Sequence, residues 1–222
     1  MSEATQVEVR APSSETEGVL NALTFEEVQA MVDVAETPRD RLLFLMLWAT
    51  AGRLSEVLDL KLMDLRPPDS IILLNEKQHK VKPGEHRPLE HKRIYVPAEV
   101  LDQVVTYSAS DSLSRSAFVF RGRDRVSRLS RTTAWRVVKR AATLAGVERE
   151  RDTPTMGHRT TAAWAHLFRH GSAVWMLENG YTLGSIQGHL GHKNIQTTGI
   201  YARVSDQARR AQTTHIELPG MN

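Results

Sequence analysis

The chain has 222 residues, 41% of them hydrophobic and 25% charged, enough apolar content for a globular fold with a real core. It contains no cysteine, which excludes a disulfide scaffold, a thiolate nucleophile and any Cys-ligated metal centre. The net charge of +3 hides an uneven spread, because residues 1–30 carry six acids and one base while residues 111–140 carry nine bases and two acids.

Residues 1–20 are rich in Ser, Thr and Glu without a periodic apolar face and read as a disordered tail. Thr24 and Glu27 form a capping box for a first helix that runs to about Val34. Thr37, with Pro38 at the first helical position and Asp40 at the third, caps a second helix over Arg39 to Ala51. That helix is apolar almost all round and is expected to be buried, with Gly52 as its terminator. Ser55 is placed to cap a short third helix carrying Glu56, Val57 and Leu60. Pro67-Pro68-Asp69 reads as a turn, and Ser70 to Asn75 and Arg93 to Val96 as two strands joined by a Lys- and His-rich hairpin loop.

A helix is expected over Ala98 to Ser108. Ser130 caps another that ends at Gly146, with an apolar stripe of Ala134, Val137, Val138, Ala141 and Leu144. Its opposite face carries Arg136, Lys139 and Arg140 at i, i+3, i+4. A long helix then spans about Ala163 to Asn179 with Gly180 after it, and a shorter one runs from Thr182 to near Gly191. Thr197 to Arg203 also reads as helical. The expected fold is mainly α with a small antiparallel β-sheet (α+β), forming one domain over residues 21–210 and a C-terminal tail at 211–222.

The longest apolar run, Leu42 to Ala49, is too short to span a bilayer. The N-terminus lacks the basic-then-apolar pattern of a secretory signal, so the expected location is the cytoplasm. The basic segment at 111–140 is an electrostatic footprint for a polyanion such as nucleic acid, or else a solvated face.

Several residues can carry chemistry. His166 and Arg169 sit three apart on one helix face, where the arginine offers a bidentate fork to an anion and the histidine a further donor. A solvated polar face is the plainer reading of such a pair. His166 and His170 have the i, i+4 spacing of a zinc pair, but Leu167 stands where a general-base Glu is needed, so no metal is expected. Arg53 follows the Gly52 terminator and can either meet the carbonyl end of that helix or point at a phosphate, and Glu56, one turn on, is placed to orient it. Tyr201 is either a packing residue or, near cations, a nucleophile at phosphorus. As a set these groups suit phosphoryl transfer with no metal or other cofactor, provided a Lys or His gives the leaving alkoxide its proton. Lys77, Lys80, Lys82 and Lys92 on the hairpin are the candidates.

These stretches resemble the catalytic domain of the tyrosine recombinases of the phage integrase family. TAGRLSEVLDL resembles the family's first-arginine box, and HLFRHGSAVWMLENGYTLGSIQGHLGHKNIQTTGIYARV its second box in residue types and spacing. The resemblance implies that Arg53 and Arg169 hold the scissile phosphate, His166 is the acid/base beside it, His192 donates to a phosphate oxygen and Tyr201 attacks. The product is then a 3′-phosphotyrosine and a free 5′-hydroxyl. SIILLNEK resembles the strand leading into the catalytic lysine and points to Lys77 as general acid, with Lys92 in EHKRIYVP as the runner-up.

The resemblance further implies a double-stranded DNA substrate, a homotetramer on two DNA sites and work at the nucleoid, with any accessory protein unnamed. Arg136, Lys139 and Arg140 become groove or phosphate contacts, and Arg123, Arg125 and Arg128 backbone contacts. The family's N-terminal core-binding domain has no evident counterpart in this sequence, and the loop holding His158 and Arg159 is long. A DNA-binding regulator with a vestigial site and a type IB topoisomerase are the alternative readings.

Overall fold

Short-range capping sets most of the helix ends. In the computed structural model, which describes residues 22–67, 71–75, 91–109, 114–147, 160–191 and 201, α1 (Phe25–Asp33) starts from the expected box. The Thr24 amide donates to Glu27 Oε2 at 2.9 Å, and the Glu27 amide to Thr24 Oγ1 at 3.2 Å. The Asp40 amide donates to Thr37 Oγ1 at 3.1 Å at the start of α2 (Pro38–Thr50). Each such cap is worth about 1 kcal/mol. Beyond α2 come α3 (Leu54–Leu58), a 3₁₀ turn (Leu62–Asp64) and strands β1 (Leu65–Arg66), β2 (Ile71–Asn75) and β3 (His91–Tyr95). The chain continues through α4 (Ala98–Ala109), α5 (Arg131–Leu144), α6 (Thr160–Glu178) and α7 (Leu183–Leu190).

The strands form one antiparallel sheet in the order β1-β2-β3. Leu65 pairs with Ile72, and Ile72 with Ile94, so these three buried side chains form one row facing the helices. β1 was not expected, since two residues are too few to show an alternating pattern. β3 begins at His91, two residues earlier than expected, and the polar HKR run hides its start.

The mean apolarity of α2 does what its sequence implies. Leu43, Phe44, Met46 and Leu47 are fully buried, and the helix packs against α1, α3, α4 and α6 at once. Phe44 stacks on Phe168 of α6, with ring centroids 6.0 Å apart. In α5 the inward stripe is Ala134, Val138, Ala141 and Ala142, whereas Leu144 is 54% exposed. The expected stripe was one position out at its C-terminal end, where the helix runs past the core.

Gly171 lets the chain ahead of α1 lie against α6. A Cβ there would stand 2.1 Å from the Leu23 carbonyl oxygen and 2.9 Å from the Trp48 ring. The first obstacle is backbone, which cannot rotate away. Gly171→Ala is therefore expected to cost about 1–3 kcal/mol, the usual range for overpacking. Chemical denaturation measures this, and an unchanged midpoint would show that residues 22–24 are not held against α6.

Candidate active site

The site grows from the end of α2. Gly52 was expected to supply the left-handed terminating residue, but Ala51 adopts that conformation, with φ 45° and ψ 26°. An L-residue there is strained, and the neighbourhood holds it. Thr50 Oγ1 donates to the Met46 carbonyl at 2.6 Å and accepts from the Gly52 amide at 3.1 Å. The Ala51 carbonyl, turned outward by the left-handed step, accepts from Arg169 Nη1 at 2.6 Å.

Arg169 lies on α6 and is 4% exposed. Its Nη2 donates to the carbonyl of Leu190, the last residue of α7, at 2.8 Å. One guanidinium thus closes the carbonyl ends of two helices, α2 and α7, that the chain places far apart. Burial and the nearby Arg53 charge pull its pKa down to about 10, against the opposing influence of Tyr201 and Glu56.

Arg53 is the N-cap of α3, a place expected for Ser55. The buried carboxylate of Glu56 reaches back to it twice, accepting from the Arg53 amide at 3.0 Å and from Nη1 at 2.7 Å. A side chain two residues later was a poorer cap because the turn at Ala51 already fixes the helix start. The Arg53 side chain is 37% exposed, so among the described residues Glu56 orients a cation that is still partly open to solvent.

His166 sits one turn before Arg169 on α6. The surrounding protein lowers its pKa, and the cations Arg169, Arg53 and Arg131 lower it further, with Glu56 opposing. Arg53, His166 and Arg169 therefore share one electropositive place, and Arg131, at the first position of α5, adds to it. Sequence reasoning had not singled out Arg131. Its N-terminal place on the basic helix was the available signal.

Tyr201 is 1% exposed, packed with Ala51, Ala173, Met176, Ile186 and Leu190. Its hydroxyl is 2.8 Å from His170 Nδ1. Burial pushes its pKa up to about 12, while Arg169 pulls the other way. His170, considered in the sequence only as half of a metal pair, is thus the polar partner of the phenol. His189 Nε2 lies 3.0 Å from the Ala49 carbonyl, and the buried Lys92 of β3 is close enough to lower its pKa. Lys77, Lys80, Lys82, His158, Arg159 and His192 lie outside the described residues. Among the described residues, no three His, Asp or Glu side chains are grouped to hold a metal ion.

Both His170 and His189 are held neutral, with pKa values near 4. Burial is the largest cause in each; His166 adds to it for His170, and Lys92 for His189. Their folded values lie below the unfolded value of about 6.5, so the unfolded chain binds more protons between pH 6.5 and 4. Stability should accordingly fall as pH drops through that window. Denaturant midpoints at pH 7, 5.5 and 4 measure the loss. His189→Gln, which keeps a donor for Ala49, should make it shallower; an unchanged slope would show that His189 contributes nothing to the loss.

The six basic residues expected at DNA lie elsewhere, on two neighbouring features. Arg123 and Arg125 are exposed on a turn between Arg121 and Arg128, whose backbone is closed by the Asp124 carboxylate accepting from the Val126 and Ser127 amides. Arg128 pairs with Asp59. On α5, Arg136 is exposed, Lys139 lies over the Trp135 ring at 5.4 Å, and Arg140 pairs with Glu36 at 2.5 Å.

Comparison with known proteins decides the family. The model described as "Phage integrase family" matches residues 21–208. The chain belongs to the phage integrase family. Among curated relatives, the tyrosine recombinase XerA of Thermococcus onnurineus is 32% identical over 220 residues, covering 97% of this chain and 70% of the relative. The tyrosine recombinase XerD of Mycobacterium leprae is 30% identical over 205 residues, covering 85% and 58%. The chain spans 57–70% of the length of its archaeal XerA relatives.

Solved structures share the fold. An XerA recombinase superposes with a TM-score of 0.66 at 23% identity, over 89% of this chain and 65% of that one. The catalytic domain of bacteriophage HP1 integrase gives 0.59 at 17% identity, over 90% and 98%. XerH bound to its difH DNA in a post-cleavage complex gives 0.67 at 21% identity, over 87% and 52%. The mainly helical fold with one small sheet is that of integrase-family catalytic domains. No helix among the described residues is long and apolar enough to cross a membrane.

Proposed function

We propose that this chain is a site-specific DNA recombinase that cuts and rejoins strands through a phosphotyrosine at Tyr201. The observation that carries the reading is that Tyr201 is buried in one cluster with Ala51 and Leu190, the two residues whose carbonyls Arg169 bridges. The tyrosine that closes the second box thereby lies near the guanidinium that shares a site with Arg53 and His166.

In this reading Arg53 and Arg169 neutralise the non-bridging oxygens of the scissile phosphate, His192 donates to one of them, and His166, the acid/base beside the phosphate, takes the proton that the Tyr201 hydroxyl gives up. The Tyr201 oxygen forms a bond to phosphorus as the bond to the 5′ oxygen breaks. Lys77 gives that oxygen its proton, with Lys92 as the second candidate. The covalent intermediate conserves the energy of the phosphodiester, so rejoining needs no nucleotide. Arg123, Arg125 and Arg136, exposed on one basic stretch, contact duplex DNA, with Arg128, Lys139 and Arg140 beside them. The active assembly is a homotetramer holding two sites at the nucleoid.

The test is covalent trapping. Nicked duplexes tiling the DNA that flanks the gene are incubated with the full chain and resolved on a denaturing gel. A protein–DNA adduct on particular duplexes supports the proposal. Adducts on every duplex, with plasmid relaxation at no preferred sequence, would make it a topoisomerase instead. Binding without any adduct would make it a DNA-binding regulator.

A further inference from the structure

The phenol of Tyr201 is hydrogen-bonded to a residue that the chemistry above leaves without a task. Its hydroxyl lies 2.8 Å from His170 Nδ1. His170 follows Arg169 directly and stands one helical turn after His166, with the two imidazole centroids 6.3 Å apart and the His170 and Tyr201 rings 5.8 Å apart. His170 is thus the neighbour of both the Tyr201 phenol and the His166 imidazole, on the helix that carries Arg169.

The rest of the Tyr201 surroundings is apolar: Ala51, Ala173, Met176, Ile186 and Leu190. Such contacts confine a ring but are indifferent to where its hydroxyl points. Among the described residues, only His170 gives that oxygen a directional contact. We infer that His170 is a positioning residue, whose Nδ1 hydrogen bond fixes the Tyr201 oxygen beside the Arg53–His166–Arg169 cluster before DNA arrives. The inference rests on the recombinase reading and gives a role to a residue outside its set of phosphate ligands.

His170 is suited to holding the phenol and poorly suited to deprotonating it. Burial, with the charges of His166 and Arg169, keeps the imidazole neutral with a pKa near 4. The phenol stays protonated up to about 12. Proton transfer from one to the other is strongly uphill, so the pair persists as a neutral hydrogen bond that adds no charge beside the incoming phosphate. A reacting oxygen displaced by about 1 Å loses on the order of 100-fold in rate, which sets the size of the expected effect.

The experiment compares two polar substitutions. The amide of His170→Asn falls close to the place of Nδ1 and can keep the bond to Tyr201, while that of His170→Gln falls near Nε2 and cannot. Both full-length variants and the wild-type chain are given the adduct-forming nicked duplex, and single-turnover cleavage and DNA affinity are measured separately. The expected result is unchanged affinity for all three, Asn within about tenfold of wild type in cleavage, and Gln slower by about 100-fold. Equal cleavage rates for Asn and Gln, or a Gln variant as fast as wild type, would overturn the positioning role. If the wild-type chain itself forms no adduct on any duplex, the recombinase reading falls, and this inference with it.

Discussion

Tyr201→Phe yields no covalent adduct on a nicked duplex that traps the wild-type chain, while still binding it. Removing a nucleophile outright costs at least about 10⁴-fold in comparable covalent enzymes, which puts the variant below detection in a gel assay. The fold should survive, because the ring keeps its packing against Ala173, Met176, Ile186 and Leu190. Only the contact with His170 goes, worth about 1 kcal/mol. Adduct formation by the phenylalanine variant would move the nucleophile elsewhere and remove the central step of the proposed chemistry.

Arg169→Lys is expected to fail twice over, in stability and in cleavage. The guanidinium satisfies the Ala51 and Leu190 carbonyls at once, at 2.6 and 2.8 Å. A single ammonium cannot reproduce that fork. Leaving a buried carbonyl unpaired costs about 1–3 kcal/mol, and the strained Ala51 turn loses its main restraint. Cleavage should fall by about 10²–10³-fold from the loss of one oriented donor at the developing charge. Denaturant titration reads the first effect and adduct formation by the still-folded fraction the second. A lysine variant that cleaves at the wild-type rate would show that the guanidinium serves only to tie α2 to α7.

The two effects have one origin. In the proposed chemistry Arg169 is oriented toward phosphate by the same bonds that close the helix ends, so the architecture and the cation cannot be separated by substitution at this position alone. Arg53 differs, since its orientation comes from Glu56 within the same short helix.

Local features of the chain were legible because their causes are local. Thr24, Thr37, Ser130 and Thr182 each cap the helix that follows. Gly180 takes positive φ after α6 as expected, α7 ends at Gly191, which also has positive φ, and the apolar run of α2 is the buried centre. The candidate site was legible through its motifs, which fix residue types and spacing for Arg53, His166, Arg169 and Tyr201. Arrangements that depend on distant partners were not. The left-handed residue fell on Ala51 because a cation 118 positions away holds its carbonyl. Tyr201 found His170, 31 positions back, and β1 exists only because β2 lies beside it. Sequence by itself settled caps and periodicity, since these follow from neighbours within a turn or two, and its motifs nominated the candidate reacting set. Tertiary structure alone decided which carbonyls the buried guanidinium bridges and which imidazole holds the phenol, because those bonds arise only when separate helices pack and exclude water.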